Sequence, residues 1–124
     1  MYQVFIHNTY YSLLSTILIT IDDFKKLEIK IGTIESVEEI EGSEKLYKFT
    51  INLGEETRQI LGGLKPSYQK EELLGKQVLV LDNLEPRKMM GLESQGMILA
   101  ASDSEGKPVI VSPINDVPNG TVIK

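Results

Sequence analysis

Cysteine and tryptophan are absent from the 124 residues, and His7 is the one histidine. Without thiolates the chain has no disulfide scaffold, no iron–sulfur ligation, no thiol nucleophile and no cysteine zinc site, a usage that fits a reducing cytoplasm. A lone imidazole leaves Ser–His catalysis and multi-histidine metal centres without material. Aromatics are scarce, five Tyr and three Phe, too few for the stacked platforms that read single-stranded nucleic acid. Positive charge is also short: 13 Lys and Arg stand against 18 Asp and Glu, a net −5. That balance argues against bulk attraction of nucleic acid, while a few convergent cations still suffice for a local site. At this length a chain buries roughly two-thirds of its unfolded surface, so one core needs neither metal nor disulfide to hold it.

Charge is missing altogether from Met1 to Ile21. The run Leu13 to Ile19 is too short and too interrupted by hydroxyls to span a bilayer, and it lacks both the positive flank and the small-residue cleavage site of a secretory signal. Residues 1–21 are expected to be an extension, either an extra strand over apolar surface or leader residues upstream of a start near Leu18. Residues 22–124 form the domain.

From Asp22 onward the pattern is mainly short strands. Thr20 is placed to cap a helical turn over Asp22 to Lys26, with Phe24 as its core anchor. Leu27, Ile29 and Ile31 alternate with Glu28 and Lys30, and Gly32 interrupts the parity before Ile34 and Val37, which predicts a bulge or bend there. Tyr47, Phe49, Ile51 and Leu53 alternate cleanly with polar neighbours as a second strand, and Gly54-Glu55-Glu56 turns it back into a third at Thr57 to Leu61. Pro66 to Leu74 reads as a short helix stopped by Gly75. Further strands are predicted at Gln77 to Leu81, Gly96 to Ala101, Val109 to Val111 and Thr121 to Ile123. Five main strands with a helix between the third and fourth match an all-β, five-stranded OB-fold Greek-key barrel, here with extra C-terminal strands.

The run Leu81-Asp82-Asn83-Leu84-Glu85-Pro86-Arg87-Lys88-Met89-Met90-Gly91-Leu92-Glu93-Ser94-Gln95-Gly96-Met97 is more particular than generic strand and turn. With Asp23 to Gly32, Glu44-Lys45-Leu46-Tyr47 and Arg58 to Leu64, it resembles the OB-fold tRNA-binding domain, found as the C-terminal appendage of methionyl-tRNA synthetase and as small free-standing tRNA-binding proteins. The resemblance spans Ile19 to Lys124. It implies a non-catalytic, homodimeric module that recognises tRNA by shape and assists methionyl-tRNA synthetase in trans. It carries Lys45, Ser94 and Met97 over as tRNA-binding residues, and Arg58, Asn83 and Lys88 beside them. Two stretches depart from the family pattern. Glu41-Gly42-Ser43-Glu44 stands where a His-Pro-Asn-Ala-Asp type loop is common, and Asp82-Asn83-Leu84-Glu85-Pro86 replaces Ala-Asn-Leu-Lys-Pro, trading a cation for an acid.

Read without that resemblance, each residue has a plainer role. Lys45 is a solvated loop lysine, or joins Lys30, Lys48 and Arg58 in a basic face. Arg87 and Lys88 lie in a loop and balance Glu85 and Glu93. Ser94 caps a turn, while Met97 packs in the core, as do Met89 and Met90. Tyr47 and Phe49 share the parity of Ile51 and Leu53 and belong to the core. Most of the paired acids sit at turns and helix starts, and the Gly-Lys and Gly-Gly pairs lack the spacing of phosphate loops, so no catalytic site, metal or cofactor is expected. The competing expectation is a chaperone-like or assembly protein that binds polypeptide through its dimer surface. The apolar strands beyond the barrel, Val109 to Ile123, motivate the expected two-fold interface.

Overall fold

The computed structural model describes residues 17–124. The expected extra strand or leader therefore falls outside the described residues over 1–16. Thr20 caps helix α1 (Ile21–Phe24) through a reciprocal pair: its Oγ1 accepts from the Asp23 backbone N at 3.1 Å, and its own N donates to Asp23 Oδ2 at 3.3 Å. Phe24 is only partly buried and stands outside the core cluster, because so short a helix has no buried face to press against the barrel.

Strands β1 (Ile29–Glu39), β2 (Tyr47–Asn52) and β3 (Thr57–Gly62) form an antiparallel meander. β4 (Gln77–Leu81) pairs with the first half of β1, and β7 (Met97–Ile98) pairs with β4, giving the order β3-β2-β1-β4-β7. The sheet curls into a nearly closed five-strand antiparallel barrel, consistent with the OB-fold. Ile34, Phe49, Ile51, Ile60, Val78 and Val80 fill its interior, with Tyr47 set edge-on to Phe49 at 6.0 Å between ring centres.

The bulge in β1 lies at Glu35, between Ile34 and Ser36, rather than at Gly32. Cross-strand partners share a face, so Lys30, Gly32 and Ile34, paired with Val80, Val78 and Ile51, all point inward. Ile29 and Ile31 face the other way, where Ile31 is buried outside the barrel cluster and the chain end Thr121 to Ile123 hydrogen-bonds to β1. Gly32 therefore keeps parity. It is glycine because a Cβ would sit 2.6 Å from Ile51 Cγ2 and 2.9 Å from the Asn52 carbonyl oxygen.

Helix α2 spans only Lys70–Leu73 instead of Pro66 to Leu74. Pro66 belongs to a turn in which Ser67 and Tyr68 both donate to the Leu64 carbonyl. The Tyr68 carbonyl then accepts from Tyr47 Oη at 2.8 Å, and its hydroxyl accepts from the Ile110 N at 3.1 Å. Held at both ends, Tyr68 is not free to extend the helix.

The expected strand from Gly96 to Ala101 is split. Met97–Ile98 stays in the barrel, whereas β8 (Ala100–Ser102) leaves it to pair with β9 (Pro108–Ile110). Between β4 and β7 a two-stranded ribbon, β5 (Arg87–Met89) and β6 (Leu92–Ser94), occupies the segment expected as loop. Its turn is Met90-Gly91, both at positive φ, 54° and 76°, the combination that matches the twist of a tight hairpin.

Candidate nucleic-acid interface

An OB barrel offers ligands its strand face and the loops joining strands 1 to 2 and 4 to 5. Here those loops are Ile40–Leu46, carrying Lys45, and Asp82–Gln95, carrying the β5–β6 hairpin and Lys88. They meet: the Met90 methyl reaches the Gly42 α-carbon region, 3.5 Å from where a Cβ would stand. The first loop is stiffened by Ser43, whose Oγ accepts from the Lys45 and Leu46 backbone N atoms at 3.3 and 3.0 Å. Lys65 reinforces it, donating from Nζ to the Ser43 carbonyl at 3.1 Å while pairing with Glu39 at 2.9 Å. That pairing holds the Glu39 carboxyl below its ordinary pKa. Lys45 projects from this frame beside a cleft of about 500 Å³ lined by Gly42, Ser43, Glu44, Lys45, Leu46 and Gly63. A second cleft of about 310 Å³, between β1 and α2, is lined by none of the six candidate residues.

The six divide evenly. Lys45 and Lys88 are exposed, and among the described residues neither has an acidic partner within ion-pair distance. Met97 lies on β7 beside Ile98, which packs on the core; Met97 itself is 40% exposed and faces outward instead of filling the barrel. Met90, read from sequence as packing, is 51% exposed at the hairpin tip.

The other three are engaged internally. Ser94 is only 3% exposed; its Oγ accepts from the Leu61 N at 3.0 Å and donates to the Gly96 carbonyl at 2.9 Å, joining β6 to β3 across the barrel seam. Asn83 accepts from the Glu28 N at 2.9 Å and donates to the Lys26 carbonyl at 2.7 Å, stapling the end of β4 to the segment after α1. Arg58 shares the inward parity of Ile60 at the barrel's end. Glu56 takes its Nε and Nη2 in a fork at 3.1 and 3.2 Å, which raises the guanidinium pKa. Nη1 donates to the Asp82 carbonyl at 2.6 Å and to the Gln95 carbonyl at 3.2 Å.

Nor is there a free basic face formed by Lys30, Lys48 and Arg58. Lys30 pairs with the buried Asp82 carboxylate at 2.8 Å, Lys48 with Glu38 at 3.5 Å and Arg58 with Glu56. Donating to the Asp82 carboxylate raises the Lys30 pKa, so this ammonium stays charged in the barrel end. Asp82, a departure from the family pattern, thus serves as its partner. No group of three or more metal-ligating side chains occurs among the described residues, and no described helix is long and apolar enough to cross a membrane.

The family described as "Putative tRNA binding domain" matches residues 29–122, the whole barrel together with both loops and the C-terminal bridge. This chain belongs to that family. Among curated relatives it is 52% identical over 107 residues to a methionine–tRNA ligase of Methanococcoides burtonii and 47% identical over 105 residues to that of Caldanaerobacter subterraneus. These alignments cover 86% and 85% of the chain but only 16% of each ligase, so the kinship is with one domain of a much larger enzyme. Among solved structures it resembles a MetRS-related protein of Pyrococcus horikoshii, at TM-score 0.82 and 34% identity, covering 86% of this chain and 98% of that one. It also resembles the chaperone CsaA of Bacillus anthracis, at TM-score 0.78 and 27% identity, covering 86% and 99%. Both are comparable to this chain in length. Within the family frame, sequence reasoning did not single out Gln59 and Gln95. Gln59 Nε2 donates to the Glu93 carbonyl at 2.9 Å, and Gln95 Oε1 accepts from the Gln59 N at 3.1 Å. Only their partners across the seam give them a role, and those lie more than thirty residues away.

Proposed function

We propose that the protein is a non-catalytic, cytoplasmic tRNA-binding module that recognises folded tRNA by shape, works as a homodimer and assists a methionyl-tRNA synthetase in trans. The observation that carries this reading is the meeting of two loops whose Lys45 and Lys88 have no acidic partner among the described residues, on a barrel of the tRNA-binding family. Lys45 and Lys88 would meet phosphates and Met97 would pack on a sugar or base edge, while the side chains of Arg58, Asn83 and Ser94 are engaged with other parts of the protein. Sparse aromatics favour recognition of a structured RNA's form over stacking along a single strand.

The dimer is supported by apolar residues left uncovered outside the barrel: Val109, Val111, Val122 and the fully exposed Ile114. A monomeric mass in dilute solution would contradict it. For the RNA reading, Lys45→Ala and Met97→Ala should each weaken tRNA binding without lowering the melting temperature. Unchanged affinity in both would contradict that site. The likeness to CsaA supports a second reading, polypeptide binding at the dimer surface. An unfolded peptide that binds and displaces tRNA would favour it; tRNA binding indifferent to peptide would oppose it.

A further inference from the structure

The segment Asp82 to Gln95 leaves the barrel at the end of β4 and returns just before β7. It carries the hairpin and Lys88, yet few of its residues are buried, and in isolation a two-stranded hairpin is at best marginally stable. Something other than a core must fix its position. The hydrogen bonds converge on β3. Arg58 Nη1 holds the carbonyls of both roots, Asp82 and Gln95. The Gln59 side chain holds the Glu93 carbonyl, and the Gln95 N donates to the Gln59 carbonyl at 2.8 Å. Ser94 Oγ completes the seam with the Leu61 N. Glu56 holds the Nε and Nη2 edge of the guanidinium, so the group cannot turn away without breaking two further bonds.

We propose that Arg58, with Ser94 and Gln59, is a positioning residue: it holds the hairpin loop in the orientation that binds RNA and does not itself contact phosphate. The proposal rests on the tRNA-binding reading. A guanidinium already holding Glu56 and two carbonyls has little donor capacity left for a ligand. A loop ordered beforehand also avoids the entropic cost of ordering it on binding.

The two roles of a cation separate in salt. A lysine or arginine that neutralises a phosphate contributes to the slope of log K against log salt, and removing it makes that slope shallower by about one. A positioning arginine changes affinity and leaves the slope. The experiment measures tRNA affinity across a salt series for the wild type, Arg58→Gln and Lys88→Ala, together with amide hydrogen exchange of residues 83–95 in the free proteins. For Arg58→Gln we expect affinity weaker by about tenfold, as for loss of one hydrogen bond to a charged group. Its salt slope should match the wild type, and exchange should be faster in 83–95 while β2 stays protected. A slope shallower by about one, with exchange unchanged, would make Arg58 a phosphate contact and overturn the proposal. Unchanged affinity despite faster exchange would overturn it too, since loop order would then not matter for binding. Should Arg58→Gln fail to fold, Gln59→Ala removes only the tie to Glu93 and should give a smaller change of the same kind; no change in either readout would count against the clamp. Wild-type protein that binds no tRNA would instead remove the functional reading, a failure visible without any variant.

Discussion

Strand β2 lies in the barrel and the segment Asp82 to Ser102 lies mostly beside it, and the two are held by different physics. β2 buries Tyr47, Phe49 and Ile51 and exposes none of its polar residues fully, so its register is set by which face meets the core. The later segment has a broken strand, a ribbon with little core of its own, and a corner at Gly96 where φ is 135° and a Cβ would stand 2.9 Å from the Leu81 carbonyl oxygen. Its hairpin part is tied to β3 by polar bonds, from the Arg58 and Gln59 side chains to carbonyls, from Ser94 Oγ to the Leu61 N and between the Gln95 and Gln59 backbones. The scaffold is thus defined by apolar periodicity and the candidate RNA-binding loop by polar ties, which spares the loop an apolar face that water would have to cover.

Four outcomes would break or sharpen that contrast. The largest belongs to the scaffold: Phe49→Ala, at a fully buried position, should cost about 3–5 kcal/mol of stability. Denaturant titration checks it, and a cost below 1 kcal/mol would place the core elsewhere. Next comes the seam. Ser94→Ala strands the buried Leu61 N–H without an acceptor and should cost about 1–3 kcal/mol. The loss should come with faster exchange around Leu61 and Gly96, and an unaffected seam would deny it a structural role.

A smaller effect appears in alkali. Burial raises the Tyr47 phenol above its ordinary pKa, with the Glu39 charge adding to it. The neutral phenol is therefore favoured in the folded state, and its contribution is complete below the unfolded value of about 10 and falls away as pH rises through the higher folded value. Wild type should lose stability relative to Tyr47→Phe on raising the pH past about 10, measured by paired melts; parallel curves would contradict the burial argument. The smallest effect on stability is expected at the loop tips. Lys45→Ala and Lys88→Ala remove no internal bond of the side chain and should leave the melting temperature unchanged while weakening RNA binding. A large drop in melting temperature would show that these lysines hold the fold.

The same contrast explains what was legible in the sequence. The β2–β3 hairpin and β4 announce themselves by alternation and turn residues. The β5–β6 ribbon does not, because its turn places Met90 where Asn, Asp or Gly would signal positive φ. The break at Leu99 is hidden within an unbroken apolar run from Met97 to Ala101. In β1, Ile29 and Ile31 suggested the inward face, whereas they face the chain's C-terminal end and Lys30 points into the barrel. For the site, the exposure of Lys45 and Lys88 followed from their loops. The engagement of Arg58 with Asp82 and Gln95, 24 and 37 residues downstream, could only be seen once β3 and the returning chain lay side by side.

The central claim is tested most directly by measuring the affinity of purified protein for folded tRNA and for an unstructured RNA of equal length at two salt concentrations. Phosphate attraction weakens for both as salt rises, whereas recognition of shape is retained for the folded RNA alone. The account predicts that tRNA is preferred and that the preference persists at the higher salt. Equal binding to both RNAs, or binding to neither, would contradict it.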